Sequence, residues 1–371
     1  MERQKRSSQL ARVATAAAAL ALSAVLAEVA LRLLPAGVVV EPNLYRMADG
    51  LLLLRRDWSG RHVTPLWDVA LSTNSRGFRD FEREPREDEA VVLGLGDSQA
   101  FGWGVELEET FFSRIEADLP PVRLLKAAVP GTGTSDQVEM LARFGPAERP
   151  RVVLIALFVG NDFVDVERGG SAQYEVVDGF LAHRGEGGGQ LRRLAIESRL
   201  LQALRAAQFR LGLAPQRKRM WDSWMREYAQ VHLLHPPERT RLAIAETIEA
   251  LDQIVELSRG MGATPLLVAI PRSFQIDPAE AAEMARGLGW APEELDLEQP
   301  QSRLAAWADE QDVAFVDLLE PFRAASRAGG QPLFYTPDAH LTAAGHAVAA
   351  QAVRPALAQA LASVDAGPQA R

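Results

Sequence analysis

The 371-residue chain is 47% hydrophobic and 24% charged, the balance of a globular protein of one large or two ordinary domains, which excludes a disordered chain and a polytopic membrane protein. A net charge of −9 offers no electrostatic footprint for nucleic acid. The absence of cysteine excludes disulfides, thiolate metal sites and cysteine nucleophiles.

In chain order, the first element is an apolar run behind a basic flank. Arg3, Lys5, Arg6 and Arg12 precede an uncharged stretch from Val13 to Ala27, which continues through Val29, Leu31, Leu33 and Leu34 to a stop at Pro35 and Gly37. A helix over 9–34 would be roughly 39 Å long, enough to cross a hydrocarbon core of about 30 Å. Glu28 and Arg32 fall four apart on one face near its distal end, where they can pair and snorkel. The basic flank predicts a cytoplasmic N-terminus and an exported remainder. No convincing small-x-small cleavage site precedes the charged pair, so the run is expected to persist as an anchor rather than be removed as a signal peptide. Three regions follow: a cytoplasmic tip and anchor (1–35), an irregular Pro- and Arg-containing approach segment (36–88), and the main domain (89–365).

Within the main domain, strand-length apolar runs recur at Ala90–Leu95, Val122–Ala128, Arg151–Phe158, Thr264–Ile270 and Asp312–Leu318. They lack polar alternation, as parallel strands covered on both faces do. Helical patterns at Thr110–Leu119, Gln137–Phe144, Arg241–Ser258, Ser302–Gln311 and Thr342–Leu361 fill the gaps, and the alternation predicts a doubly wound α/β domain. The hundred residues between Phe158 and Thr264 exceed a simple crossover, so a helical insertion is expected over about 163–240, with joints at Gly169-Gly170 and Gly187-Gly188-Gly189. Its central helix, about 190–213, sets Leu191, Leu194, Leu201 and Leu204 beside Arg192, Arg193, Arg199, Arg205 and Arg210. Arg217-Lys218-Arg219, Trp221, Trp224 and Tyr228 follow. It reads as a lid helix with a solvated face, or as a basic helix lying on an anionic membrane.

Polar loops follow the strands at one sheet edge, where open α/β sheets bind their ligands. Gly96-Asp97-Ser98 ends the first strand; by itself it reads first as a turn with Ser98 capping a helix. Val129-Pro130-Gly131-Thr132-Gly133 follows the second and Val159-Gly160-Asn161-Asp162 the third. A glycine admits a substrate oxygen close to backbone N–H, and an asparagine amide adds a donor of fixed direction, so these loops with the Ser98 N–H are candidates for an oxyanion hole. Near the C-terminus, Asp338-Ala339-His340-Leu341-Thr342 lies on a loop before the last helix. A serine hydroxyl needs a base to take its proton, and the base needs a third group to hold its tautomer; His340 and Asp338 fit those roles. His346, inside that helix, reads as a packing residue. His232 and His235 are three apart without a carboxylate cluster, and neither a metal nor a cofactor is expected.

These four blocks, in this order and spacing, resemble the SGNH hydrolases, also called GDSL esterases and lipases, over roughly 72–362 apart from the insertion. Asn74-Ser75-Arg76-Gly77-Phe78-Arg79, the strand ending at Ser98, and Asp338-x-His340-Leu341-Thr342-x-x-Gly345-His346 are similar to bacterial members with an N-terminal membrane anchor. The resemblance implies a three-layer αβα, flavodoxin-like sandwich on five parallel strands. It implies Ser98 as nucleophile, Asp338 and His340 completing a triad, and Ser98, Gly131 and Asn161 as oxyanion donors, with Gly133 a substitute for Gly131. Two positions depart from the family pattern: one residue fewer separates Asp338 from His340, and Lys126 stands where an asparagine often precedes the second-block glycine. The expected substrate is an O-acyl ester of envelope carbohydrate or lipid, cleaved through an acyl-serine. The alternatives are an O-acyltransferase using the same triad and a catalytically silent envelope scaffold or carbohydrate-binding protein.

Overall fold

The computed structural model describes residues 2–33, 40–84, 86, 88–184, 198–211 and 225–365. Helix α1 (Glu2–Leu33) contains a stretch, Arg12–Leu33, of mean hydropathy 2.0 that is long and apolar enough to cross a membrane and is not buried in the rest of the chain. Arg32 donates to Glu28 at 2.7 Å, the expected i,i+4 pair.

The segment expected to be irregular is instead two antiparallel hairpins. In the first, β1 (Tyr45–Ala48) pairs with β2 (Leu51–Leu54); in the second, β3 (Ser59–Val63) pairs with β4 (Asp68–Ser72). Asp49 and Gly50 join the first pair, both at positive φ (54° and 81°). This type I′ turn matches strand twist and tolerates aspartate followed by glycine. All four leucines of β2 are buried against the main core.

The main sheet is wholly parallel, in the order β11–β10–β7–β5–β6: β5 (Ala90–Gly96), β6 (Val122–Ala128), β7 (Val152–Phe158), β10 (Thr264–Ile270) and β11 (Ala314–Asp317). The central strand β7 is buried along its whole length, which is why it reads as an unbroken apolar run. After β5 the chain makes the one-turn helix α2 (Ser98–Phe101) and then α3 (Phe111–Asp118). Helix α4 (Thr134–Glu148) follows β6, and α5 (Asp162–Glu167) follows β7. Helices α3 and α11 (Ala343–Asp365) cover one face of the sheet; α4, α7 (Glu238–Gly260) and α9 (Gln299–Glu310) cover the other. Helices α8 (Pro278–Leu288) and α10 (Leu319–Ala328) flank β10 and β11 in sequence. This is the αβα sandwich that the sequence predicts. The order reverses between β5 and β7, which makes their C-terminal ends the topological switch point.

The insertion is less helical than expected, for it opens with a third hairpin, β8 (Tyr174–Val177) and β9 (Phe180–His183). Asp178 and Gly179, at φ 53° and 90°, make a second type I′ turn. Helix α6 (Arg199–Arg210) follows. The Glu28 carboxylate of α1 accepts from Ser198 Oγ at 2.9 Å and from the N–H groups of Arg199 and Leu200 at 3.0 and 2.8 Å, capping α6 with a side chain from the apolar helix. Leu201 and Leu204 point outward. The joint Gly187–Gly189, the residues Leu191, Arg192, Arg193, Leu194, Arg217–Arg219, Trp221 and Trp224, and the stop at Leu34–Gly37 lie outside the described residues, as do the side chains of Arg3, Lys5, Arg6, Arg205 and Arg210.

Candidate active site

Three loops and one C-terminal turn meet at the switch point. At the end of β5 a side chain on Gly96 would lie 2.5 Å from the Ala100 Cβ, so the chain reverses into α2 only because that residue is glycine. Asp97 Oδ1 accepts from the Gln99 N–H at 2.9 Å and caps α2. Ser98 is thereby set half-buried at the first position of the helix, its hydroxyl 2.9 Å from His340 Nε2. Nδ1 of the same ring is hydrogen-bonded to Asp338 Oδ1.

The Asp338–His340 pair converges across one residue because Ala339 adopts φ 70°, a left-handed conformation unusual for alanine. The His340 N–H also donates to Asp338 Oδ1 at 3.3 Å. The spacing that departs from the family pattern is therefore accommodated by one left-handed residue. Burial disfavours the charged imidazole, but the charge and hydrogen bond of Asp338, helped by Asp97, outweigh it and raise the His340 pKa. Burial likewise opposes ionisation of Asp338, and His340 reverses that, leaving its carboxyl below the usual range. The two side chains retain 19% and 30% exposure, so solvent screens part of this attraction and the shifts are modest.

Gly131 and Gly133 are not equivalent. Gly131 has φ +86° and, among the described residues, its N–H has no protein acceptor. The Gly133 N–H donates to Asp136 Oδ2 at 2.8 Å, capping α4. Only Gly131 leaves a donor available. Asn161, at the start of α5, donates Nδ2 to Asp165 Oδ2 at 2.6 Å. Burial pushes the Asp165 carboxyl up to about 6, against the Asn161 hydrogen bond and the Arg168 charge. Asp162 is fully buried with Oδ2 accepting from the Phe158 N–H at 2.9 Å. Its Oδ1 and the Asp97 Oδ2 are buried with no protein partner. Burial, with Asp97 beside it, raises the Asp162 pKa well above the carboxylate range.

Several supporting residues had no role in the sequence reading. Gln99 joins the nucleophile helix to the histidine loop: its Nε2 donates to the Ala339 carbonyl at 3.1 Å and its Oε1 accepts from the Leu341 N–H at 3.0 Å. Arg79, 2% exposed, donates to the carbonyls of Phe101, Gly102 and Val105 at 2.9, 2.6 and 2.5 Å, and stacks over the Phe101 ring. It neutralises the C-terminal carbonyls of the helix that begins at Ser98. The motif Asn74–Arg79 was visible, but the destination of its arginine was not. Lys126 is buried in β6 on Asp80 and Glu116 at 2.6 and 2.9 Å, in a charge network behind the site. The second hairpin supplies Trp67, whose ring meets the His340 ring edge-on at 6.5 Å and whose Nε1 donates to His62 Nδ1 at 3.0 Å.

Three further histidines lie elsewhere. His346 is buried, accepts from the Phe111 N–H at 3.2 Å and stacks on that ring, as a packing residue. His232 is buried against Phe274 and His235 is exposed. No group of three metal-binding side chains occurs among the described residues.

An αβα sandwich with serine, imidazole and carboxylate in one hydrogen-bonded line at its switch point defines an α/β serine hydrolase. Residues 95–348 match the GDSL-like lipase/acylhydrolase family. The chain belongs to that family and is a serine esterase. No curated protein sequence matches it. Among solved structures, an acetylxylan esterase of Geobacillus stearothermophilus is 15% identical with a TM-score of 0.40, covering 71% of this chain and 93% of that one. A psychrotrophic esterase of Pseudoalteromonas sp. is 12% identical with a TM-score of 0.37, covering 73% and 98%. A G-D-S-L family lipolytic protein from Veillonella parvula is 12% identical with a TM-score of 0.41, covering 73% and 99%.

Proposed function

We propose that the chain is a membrane-anchored, exported esterase that removes short acyl groups, acetyl above all, from O-acylated envelope carbohydrate or lipid. In this reading 1–35 is the tip and anchor, 36–88 the approach segment, and 89–365 the hydrolase domain. The observation that carries it is the line from Ser98 Oγ through His340 Nε2, at 2.9 Å, to Asp338.

Ser98 Oγ attacks the ester carbonyl while His340 Nε2 takes its proton. The oxyanion is held by the N–H groups of Ser98 and Gly131 and by the Asn161 amide. The imidazolium then gives the proton to the departing sugar or lipid oxygen, leaving acyl-Ser98; water attacks the acyl carbon with His340 again as base, and the acyl–Oγ bond breaks as the imidazolium reprotonates Ser98 and the acid leaves. Asp338 stabilises the imidazolium at both steps. Leu181, Tyr174 and Leu52 pack beside Gly131, where an added Cβ would lie 2.9, 3.4 and 3.6 Å from them, so these side chains border the loop that offers the Gly131 N–H.

Acetate release from acetylated polysaccharide by the full chain in detergent tests this reading. Wild type releases acetate and Ser98→Ala does not; activity retained in Ser98→Ala would remove the assignment.

A further inference from the structure

The same hairpins that crowd Gly131 carry a basic cleft on their far end. An open cavity of about 790 Å³ is lined by Tyr45, Arg46, Arg55, Arg56, Asp178 and Gly179. Hairpins β1–β2 and β8–β9 are joined there, with the Tyr45 N–H donating to the Gly179 carbonyl at 2.9 Å. Two of the arginines are oriented by backbone. Arg46 Nε donates to the Leu54 carbonyl at 2.9 Å, and Arg55 Nη1 to the Asn43 carbonyl at 3.2 Å. Among the described residues no carboxylate forms an ion pair with Arg46, Arg55 or Arg56, whereas the neighbouring Arg143 is paired to Asp49 at 2.8 Å. Burial and then the like charges of Arg56 and Arg143 lower the Arg46 pKa, so these cations are close enough to repel. A chain of net charge −9 concentrates three guanidinium groups beside the single carboxylate of Asp178 on one open wall, and a bound anion would relieve their repulsion.

We propose that this cleft binds an oxyanion of an acidic polysaccharide strand, the carboxylate of a uronic acid or the phosphate of a sugar–phosphate backbone, next to the ester being cleaved. Leu52, which faces Gly131, lies in β2, and the chain leaving that strand passes directly into Arg55 and Arg56 of the cleft wall. An acidic unit in the cleft is thus held by the same polymer whose acyl group reaches Ser98, a role that rests on the esterase reading. A sugar polymer fits better than a lipid surface, because the cleft lining is polar. The large exposed apolar residues lie elsewhere, on α1 and α6 and at Phe81, Leu211, Leu234 and Leu242.

The test measures binding with polymers that carry no acyl group, so its outcome is independent of Ser98 chemistry. The full chain in detergent is titrated calorimetrically with oligogalacturonate, a glycerol-phosphate polymer and a neutral xylo-oligosaccharide. Oligogalacturonate, the phosphate polymer or both bind, more weakly as salt rises, and the stronger of the two identifies the anion. Arg55→Gln/Arg56→Gln weakens binding about 2- to 30-fold, as two partly exposed charge pairs predict. A melting curve accompanies the double variant; if it is unfolded, Arg56→Glu is titrated instead, with the same loss expected. Equal binding of the neutral sugar, unchanged affinity in the folded variants, or arginine-dependent binding of phosphatidylglycerol vesicles but of neither polymer would overturn the proposal.

Discussion

Substituting each of the two second-block glycines by alanine separates an oxyanion donor from a turn residue. Gly131 has φ +86° and its added Cβ would lie 2.9 Å from Leu181 Cδ2. A left-handed alanine costs about 1–2 kcal/mol, and the Leu181 contact is with the far end of a flexible side chain, so the protein still folds. To relieve the strain the 130–131 peptide rotates and its N–H leaves the position facing the carbonyl. Loss of one oxyanion donor lowers kcat about 100- to 1000-fold, or about 2.7–4 kcal/mol of transition-state stabilisation. Gly133 sits at φ −111°, an ordinary conformation. Its Cβ would meet Asp165 and Val166 at 3.4 Å, and its N–H is already bound to Asp136. Gly133→Ala therefore changes stability by no more than about 1 kcal/mol and leaves kcat within about threefold, less than a lost donor would cost. The assay is kcat and KM on p-nitrophenyl acetate beside thermal melting. Undiminished kcat in Gly131→Ala together with a hundredfold fall in Gly133→Ala would refute the reasoning.

Asn161→Ala lowers kcat about 100-fold or more, since it too removes one donor, while the lost bond to Asp165 lowers stability by only about 0.5–1.5 kcal/mol. Because Asp338 raises the His340 pKa and His340 acts as a base only when neutral, kcat/KM rises with pH through an apparent pKa above that of an ordinary histidine. In Asp338→Asn that limb moves to lower pH, and kcat falls by as much as about 10⁴-fold; an unmoved limb in a pH–rate profile would contradict the pairing. The folded-state Asp165 pKa is raised to about 6, so the folded protein holds a proton that the unfolded chain releases near pH 4. Its contribution to stability is present below about 4 and is lost as pH rises to about 6. Asp165→Asn flattens the pH dependence of chemical denaturation in that window. Gln99→Leu removes both bonds to the histidine loop; kcat falls more than KM rises, whereas a purely structural role would lower the melting temperature without altering the pH–rate profile.

The five sheet strands were legible because burial on both faces leaves no polar alternation to confuse with a helix. The catalytic candidates were legible because each follows a strand or precedes the last helix. The approach segment was not, because its strands are four or five residues long and two of them contain exposed polar positions. A signal was present all the same: Asp49-Gly50 and Asp178-Gly179 each stand between short apolar runs, the pairing that demands a type I′ hairpin turn. Gln99 and Arg79 could not be assigned from sequence, since their partners lie 240 and 22 to 26 residues away. Distance along the chain hides such contacts, while turn chemistry and burial periodicity are local. The choice between Gly131 and Gly133 depended on which N–H the capping Asp136 occupies, which appears only once α4 is formed.

The central claim, that His340 makes Ser98 nucleophilic, is tested most directly by reacting the full chain with a fluorophosphonate and mapping the adduct by mass spectrometry. The account predicts a single stoichiometric adduct on Ser98 in the wild type, and labelling at least about 1000-fold slower in a folded His340→Ala variant. Rapid labelling of that variant, or an adduct on another serine in wild type with Ser98 unmodified, would contradict it.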